Sequence, residues 1–561
     1  MNTYFNSLRK SLWVVPAFCI CVSCNDAWND HYSTDYSVVP SQTIIDGIEA
    51  LGTSQNFVKA LKTTYMFRGS EQLPATYYDF LGSDQFITVW VPDENSISPE
   101  QWAEYTKPNK TKAENKKVGQ EFIMNHIARF SHPVGKSTNE KIYMLSDKRY
   151  SSQSTDIDGV AYRSGDNTTN IICKNGIFHR LNGVMEYRKS IYEYLTTTPE
   201  YKDVIGDFFA KYTKEEVDLD RSVQSGINDE GEMEYIDSVI ILKSILMNKY
   251  GLINEEDSNY LMVLPTATAW KEMFDSLTKR FDYGNIEAAD SISMFWTQSA
   301  IMTDMFFNMN IQTAPEDSVN STTFRKRTEE PHPRYHSYYK PYAEDGLFVK
   351  GKIGEYRASN GKILIMDSWP FADSLIYDVP IKLEAENGFA DATMNLTKPV
   401  RKVYRDNATP GLGRVSGQYA LQIAGDQGSY AWKIKFPIKD NLKGSYKVKL
   451  IVVPDRVGQL PNAIHPIISY KNQAILDPKD DRKRDLVLYP CGVVNGKNID
   501  FVNKIDTIEI PGICEVPYCD YKTDKANLDI EIKCSMKSSE LSKYSTTLNL
   551  DCIIFEPILE R

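Results

Sequence analysis

The chain has 561 residues, enough for about three domains. Its formal net charge is -11, from 64 Lys plus Arg against 75 Asp plus Glu, and the basic residues are not clustered in long runs, which argues against nucleic acid as a partner. No apolar stretch approaches the roughly 20 residues that a membrane-spanning helix needs.

Arg9 and Lys10 open the chain with positive charge, and "SLWVVPAFCICV" (11–22) is an apolar run of the length of a secretory h-region. The small residue Ser23 precedes Cys24. The pattern resembles a bacterial lipoprotein signal, although Cys21 stands where that family prefers leucine. The resemblance implies that residues 1–23 are removed and that Cys24 carries the lipid. Residues 24–34 then read as a tether, whose Asp26 and Asp30 resemble the acidic export signal of surface lipoproteins in Gram-negative gut bacteria. The expected location is the outer membrane, facing the cell exterior, with the lipid as the only membrane contact.

The next two stretches repeat one another. "PSQTIIDGIEALGTSQNFVKAL" (40–61) spaces Ile44, Ile48, Leu51, Phe57, Val58 and Leu61 as helix faces, and "SIYEYLTTTPEYKDVIGDFFAKY" (190–212) is its counterpart. "FITVWVPDENSI" (86–97) and "YLMVLPTATAW" (260–270) are apolar strands ended by Pro92 and Pro265, with helix caps at Asp93 and Thr266. "GQEFIMNHIARF" (119–130) is echoed by "QSAIMTDMFFNM" (298–309). Asn175-Gly176 and Asn360-Gly361 each sit between two short extended runs and read as tight hairpin turns, because both residues tolerate positive φ. The order and spacing predict two tandem α+β units, 35–189 and 190–378. Within the second, the Pro-, Tyr- and charge-rich 312–346 reads as a long surface loop.

These motifs, together with the closing "NGIFHRLNGV", resemble the fasciclin domain, an α+β wedge of helices on a twisted β-core. Adhesive relatives use a Tyr-His dipeptide. The matching positions are read as Asn125-His126 and Thr303-Asp304, which leaves integrin-type adhesion without its residues. His126 and His179 read as satisfied, half-buried histidines.

From about residue 379 the pattern turns to short alternating runs, among them "YALQIAG", "YAWKIKFPI", "YKVKLIVV", "LDIEIKCSM" and "LNLDCIIFEPI". Eight or more strands at such spacing predict an all-β, jelly-roll-like sandwich over 379–561. "IKLEAENG", the run 416–454 and "LNLDCIIFEP" resemble carbohydrate-binding modules of the galactose-binding type. Such a module stacks aromatics on sugar rings, but parity puts Trp432 on one face with Ile434 and Phe436, opposite Lys433 and Lys435, and so in the core. Asp455 and Arg456, in "PDRVGQLPNA", are the ligand-binding candidates.

The remaining chemistry is sparse. Cys173 stands alone, and Cys491, Cys514, Cys519, Cys534 and Cys552 crowd the last 71 residues without CxxC or His-rich spacing. That speaks against zinc and leaves one or two disulfides or, the preferred reading, buried free thiols. No GxSxG, HExxH, Walker loop or helix-opening GxGxxG occurs, and "GLGRVSG" (411–417) lies in a β region. The expectation is a non-enzymatic binding protein without cofactor or metal. It would capture a glycan or peptide beside an outer-membrane receptor or transporter. Adhesion through the fasciclin-like units is the rival expectation.

Overall fold

Two apolar runs become the axes of two sheets built on one plan. The computed structural model describes residues 40–68, 71–217, 223–227, 233–237, 240–325, 334–396, 400–403, 415–425, 431–453, 460–478, 486–488, 493–494, 497–498 and 505–558. The chain divides into two compact units, the first ending at Tyr187 and the second running from Arg188.

In the first unit, helices α1 (Ile44–Ala50) and α2 (Gln55–Thr63) bury Ile44, Ile48, Phe57 and Leu61 against a sheet. The sheet is made of β1 (Ile87–Val91), β2 (Ile127–Arg129), β3 (Ile171–Cys173) and β4 (Gly176–Arg180), in the order β2-β1-β4-β3. β1 pairs with β4 in parallel, Ile87 opposite Gly176, and all its residues are buried. A strand covered on both faces needs an unbroken apolar run, which is why the alternation of an exposed strand is missing here.

The second unit repeats the plan. α3 (Ile191–Thr197) leads into β5 (Tyr260–Pro265), α4 (Ala267–Thr278) and α5 (Ala289–Ile301). β6 (Phe306–Asn308), β9 (Lys352–Ala358) and β10 (Gly361–Met366) complete the sheet in the order β6-β5-β10-β9. Tyr260 lies opposite Gly361, again in parallel. The segment read as a long loop is largely ordered: β7 (Ser318–Arg325) and β8 (Arg334–Tyr339) form an antiparallel ribbon with Val319, Ser321 and His336 buried. Its inward positions are taken partly by Ser and His, so the sequence shows no apolar alternation.

The Asn-Gly pairs do more than turn the chain. Both pairs close the expected hairpins, and only the glycines use positive φ: Gly176 (φ 137°) and Gly361 (φ 150°) are in the region that favours glycine, whereas Asn175 and Asn360 are not. A Cβ on either glycine would sit 1.9 Å from a carbonyl of the parallel strand, that of Ile87 or of Tyr260. The asparagines are clamps. Asn175 Oδ1 accepts from the Ile44 amide at the start of α1 (2.8 Å), and its Nδ2 donates to the carbonyls of Leu81 and Ser83 (2.8 and 2.7 Å). Asn360 does the same for the Ile191 amide of α3 (2.9 Å) and the carbonyls of Ile253 and Glu255 (2.7 and 3.2 Å). Each satisfies one of the orphan donors of a helix N-terminus.

The rest of the second unit is a β-sandwich of two antiparallel sheets. One holds β11 (Ile381–Glu384), β12 (Tyr419–Ile423), β14 (Gly444–Val452) and β17 (Leu548–Pro557). The other is led by β13 (Ala431–Ile438), β15 (Asn462–Tyr470) and β16 (Leu528–Ser535). Val448, Leu450 and Phe555 of the first share one core with Trp432, Ile434, Phe436 and Ile530 of the second.

One end of the sandwich is docked on residues 280–284, at the end of α4. Lys443 N donates to Arg280 O (3.0 Å), Cys519 N to Asp282 O (2.7 Å) and Tyr283 OH to Tyr521 O (2.8 Å). Lys443 pairs with Asp282 (2.7 Å), Arg280 forms a buried ion pair with Asp378, and Tyr521 meets Phe281 and Trp296 edge-on. The loops after β13 and before β16 are therefore occupied. Ile423 of β12, Ala431 of β13, Val452 of β14, Asn462 of β15, Ser535 of β16 and Leu548 of β17 lie at the opposite end.

Candidate functional site

Asp455 and Arg456 fall in sequence between Val453 and Leu460 and lie outside the described residues. Cys24 and Cys491 also lie outside them. Trp432 is 2% exposed, and its Nε1 donates to Thr546 O at 2.7 Å. Its large ring is thus a core element with a satisfied polar edge, as parity predicts.

A cluster that sequence reading missed joins the first and last strands of the sandwich. Glu384, at the end of β11, stands opposite Cys552 of β17. Glu384, Asp551 and Cys552 are all buried, and one ligand atom of each lies within 4.8 Å of the other two. Glu384 Oε2 accepts from Cys552 Sγ (3.1 Å), and Oε1 accepts from Ser416 Oγ (3.0 Å) and pairs with Lys382 Nζ (2.7 Å). Ser416 N donates to Asp551 Oδ2 (3.3 Å). Glu386, also buried, lies with Oε1 3.4 Å from the Cβ position of Gly417. Carboxylates taken out of water demand a counter-charge, and Lys382 supplies one. The oxygen donors suit a hard divalent cation of the calcium type; the thiol alone would favour a softer one. The legible signal is an acidic residue at an inward position of an apolar strand, in "IKLE" and "LNLDCIIF".

The histidines are structural. His126 and His179 are each 0% exposed rather than half-buried. His126 bonds Phe122 O (2.8 Å) through Nδ1 and accepts from Met185 N (3.1 Å) at Nε2. His179 accepts from Asn170 N (3.2 Å), meets His132 O (3.1 Å) and stacks on Trp90. Burial pushes both imidazoles down to about 4.

Strand register also corrects the pairing of the repeats. Ile127 pairs with Val89 and Phe306 with Met262, so Asn125 is matched by Asp304 and His126 by Met305. Asn125 Oδ1 accepts from Ser146 (3.1 Å) and Tyr150 (2.8 Å). Asp304 accepts from Ser321 (2.5 Å) and Tyr338 (2.7 Å), and adds a buried hydrogen bond with His336 Nδ1. All four matched residues are fully buried.

Cys173, Cys514, Cys519, Cys534 and Cys552 are buried, and no disulfide joins any of these five to another. Burial raises the thiols of Cys173 to about 11 and of Cys514 and Cys519 to about 12. No helix among the described residues is long and apolar enough to cross a membrane.

No protein-family model matches the chain, and no curated protein matches it. Among solved structures it is similar to a family 35 carbohydrate binding module from Clostridium thermocellum, at 11% identity and TM-score 0.18, covering 32% of this chain and 98% of that one. It is similar also to CBM35 from Paenibacillus barcinonensis, at 12% identity and TM-score 0.19, covering 31% and 96%. A third is TmCBM61 in complex with β-1,4-galactotriose, at 14% identity and TM-score 0.18, covering 31% and 94%.

Proposed function

We propose that this is a non-enzymatic surface protein, lipid-anchored through Cys24, that captures a glycan or peptide at the free end of its β-sandwich as an accessory to an outer-membrane nutrient receptor. The observation that carries the reading is the docked joint. Arg280, Asp282 and Tyr283 occupy the loops at one end of the sandwich, so a ligand site that loop variation can shape falls to the opposite end, where β12, β14 and β16 finish. The fasciclin-like repeats serve as spacer or docking platform. Burial of Asn125, His126, Asp304 and Met305 counts against adhesion through those positions. The test uses the whole chain from residue 24, without acyl groups, titrated by calorimetry against a soluble glycan panel and a peptide pool. Asp455→Ala with Arg456→Ala is expected to lower affinity at least tenfold at unchanged Tm. Equal affinity in wild type and variant would move the site off this loop. Separately, Cys24→Ala is expected to release the protein from the outer-membrane fraction.

A further inference from the structure

The two repeats act as each other's control, and one face differs. In the first, Phe130 N donates to Phe86 O at 2.9 Å, extending the β1–β2 pairing by one step. Phe130 is 71% exposed and Phe86 59% exposed. The pair lies at the end of β1, beside the face that carries Thr88, Ala128 and Ile177, themselves buried, and Ile172 on β3. Ile172 is also 59% exposed. Phe130 has φ +67°, a strained conformation for a bulky residue of the kind that collects at functional sites.

The second repeat keeps the backbone but carries no ring at either position: Asn259 stands for Phe86 and Met309 for Phe130. Met309 N donates to Asn259 O at 2.8 Å, the same bond, and Lys362 and Arg357 occupy the positions of Ile177 and Ile172. Leu261 and Phe307 stand, buried, where Thr88 and Ala128 do, so the fold keeps that inner part of the face covered but requires no aromatic ring at the two exposed positions. Aromatic side chains bring about 150–250 Å² each, so the platform exposes a few hundred Å². That is short of the roughly 800 Å² per partner that a stable protein interface buries. It matches a small occupant with one flat apolar side. Lys174 and Asp84, which flank Ile172 and Phe86 in sequence, pair with each other at 2.9 Å, so the rim favours an uncharged one.

We infer that Phe86 and Phe130 form a stacking platform for a neutral pyranose ring, a carbohydrate contact on the first repeat separate from the sandwich. The whole chain from residue 24 is run in native gels containing xylan, β-1,4-galactan, mannan or amylose. The expected result is retardation of wild type by at least one polysaccharide, reduced fivefold or more in Phe86→Ala/Phe130→Ala at unchanged Tm. Phe130→Asn, which tolerates positive φ, is expected to lose retardation while keeping or raising Tm. Unchanged retardation in these variants, or none for wild type, overturns the inference. A loss confined to the Asp455/Arg456 variant overturns it too and leaves the sandwich reading intact. Wild-type dimers that Phe130→Ala converts to monomers would give the platform to a second copy instead.

Discussion

His126 and His179 show what one buried residue does to the pH behaviour of a domain. Unfolded histidine titrates near 6.5, whereas both are held at about 4 when folded. Between those values the unfolded chain binds more protons, so stability is full above about pH 6.5 and falls as pH drops toward 4. Each residue accounts for about 3 kcal/mol of that loss, at 1.36 kcal/mol for each pKa unit. Urea melts of the first unit between pH 7 and 4 check it: His126→Gln is expected to flatten the pH dependence while lowering stability at pH 7. The buried thiols behave in parallel. Raised to 11 or 12, Cys173, Cys514 and Cys519 are expected to resist a disulfide reagent at pH 8 until the chain is unfolded, because the thiolate is the reactive form. Rapid labelling of any of the three in the native state would contradict their burial.

At the scale of elements, the duplicated clamp is the feature that sets the architecture. Asn175→Ala removes three hydrogen bonds and strands the Ile44 amide at the buried start of α1, an expected loss of about 3 kcal/mol. Asn360→Ala is expected to cost the second unit a similar amount. Gly176→Ala is expected to be worse, since its Cβ would meet Ile87 O at 1.9 Å. Urea midpoints rank the three, and a neutral Gly176→Ala would refute the close approach. The carboxylate cluster makes its own prediction. Lys382→Met takes the ammonium from the buried Glu384 and is expected to lower the Tm of the second unit by several degrees. Millimolar calcium is expected to restore it; if calcium does nothing, the cluster takes no cation.

These elements were unequally legible. "ITVWV" and "YLMVLP" announce central strands because burial on both faces writes itself as continuous apolar sequence. The asparagine clamp does not, because its partner amide is 131 residues away and nothing local marks it. The ribbon around His336 reads as loop because the groups facing Asp304 are polar. Glu384 and Asp551 were legible in principle, as charges inside apolar strands, yet only the pairing of first strand with last brings them together. Trp432 was placed correctly by parity alone.

For the whole molecule, the division at Tyr187 and the joint at Arg280 predict two thermal transitions, with the second repeat and the sandwich melting together. Arg280→Ala is the sharpest probe. It leaves Asp378, 8% exposed by its side chain, as a buried acid whose carboxyl is raised by burial against the pull of that arginine. Breaking such a pair costs about 3–5 kcal/mol. Calorimetry is expected to show the second transition lowered or split; an unchanged profile would mean that the joint contributes nothing to cooperativity.

The docked end also makes the sandwich a poor candidate for shuffling. A domain that meets its neighbour only through a linker can be exchanged as a cassette, since nothing at its ends must fit. Here a replacement would have to bring a lysine for Asp282, an amide for its carbonyl and a ring for Phe281 and Trp296, all on loops that diversification would otherwise be free to rewrite. Change is thereby channelled to the far rim, where a loop can be lengthened or recharged without renegotiating the joint.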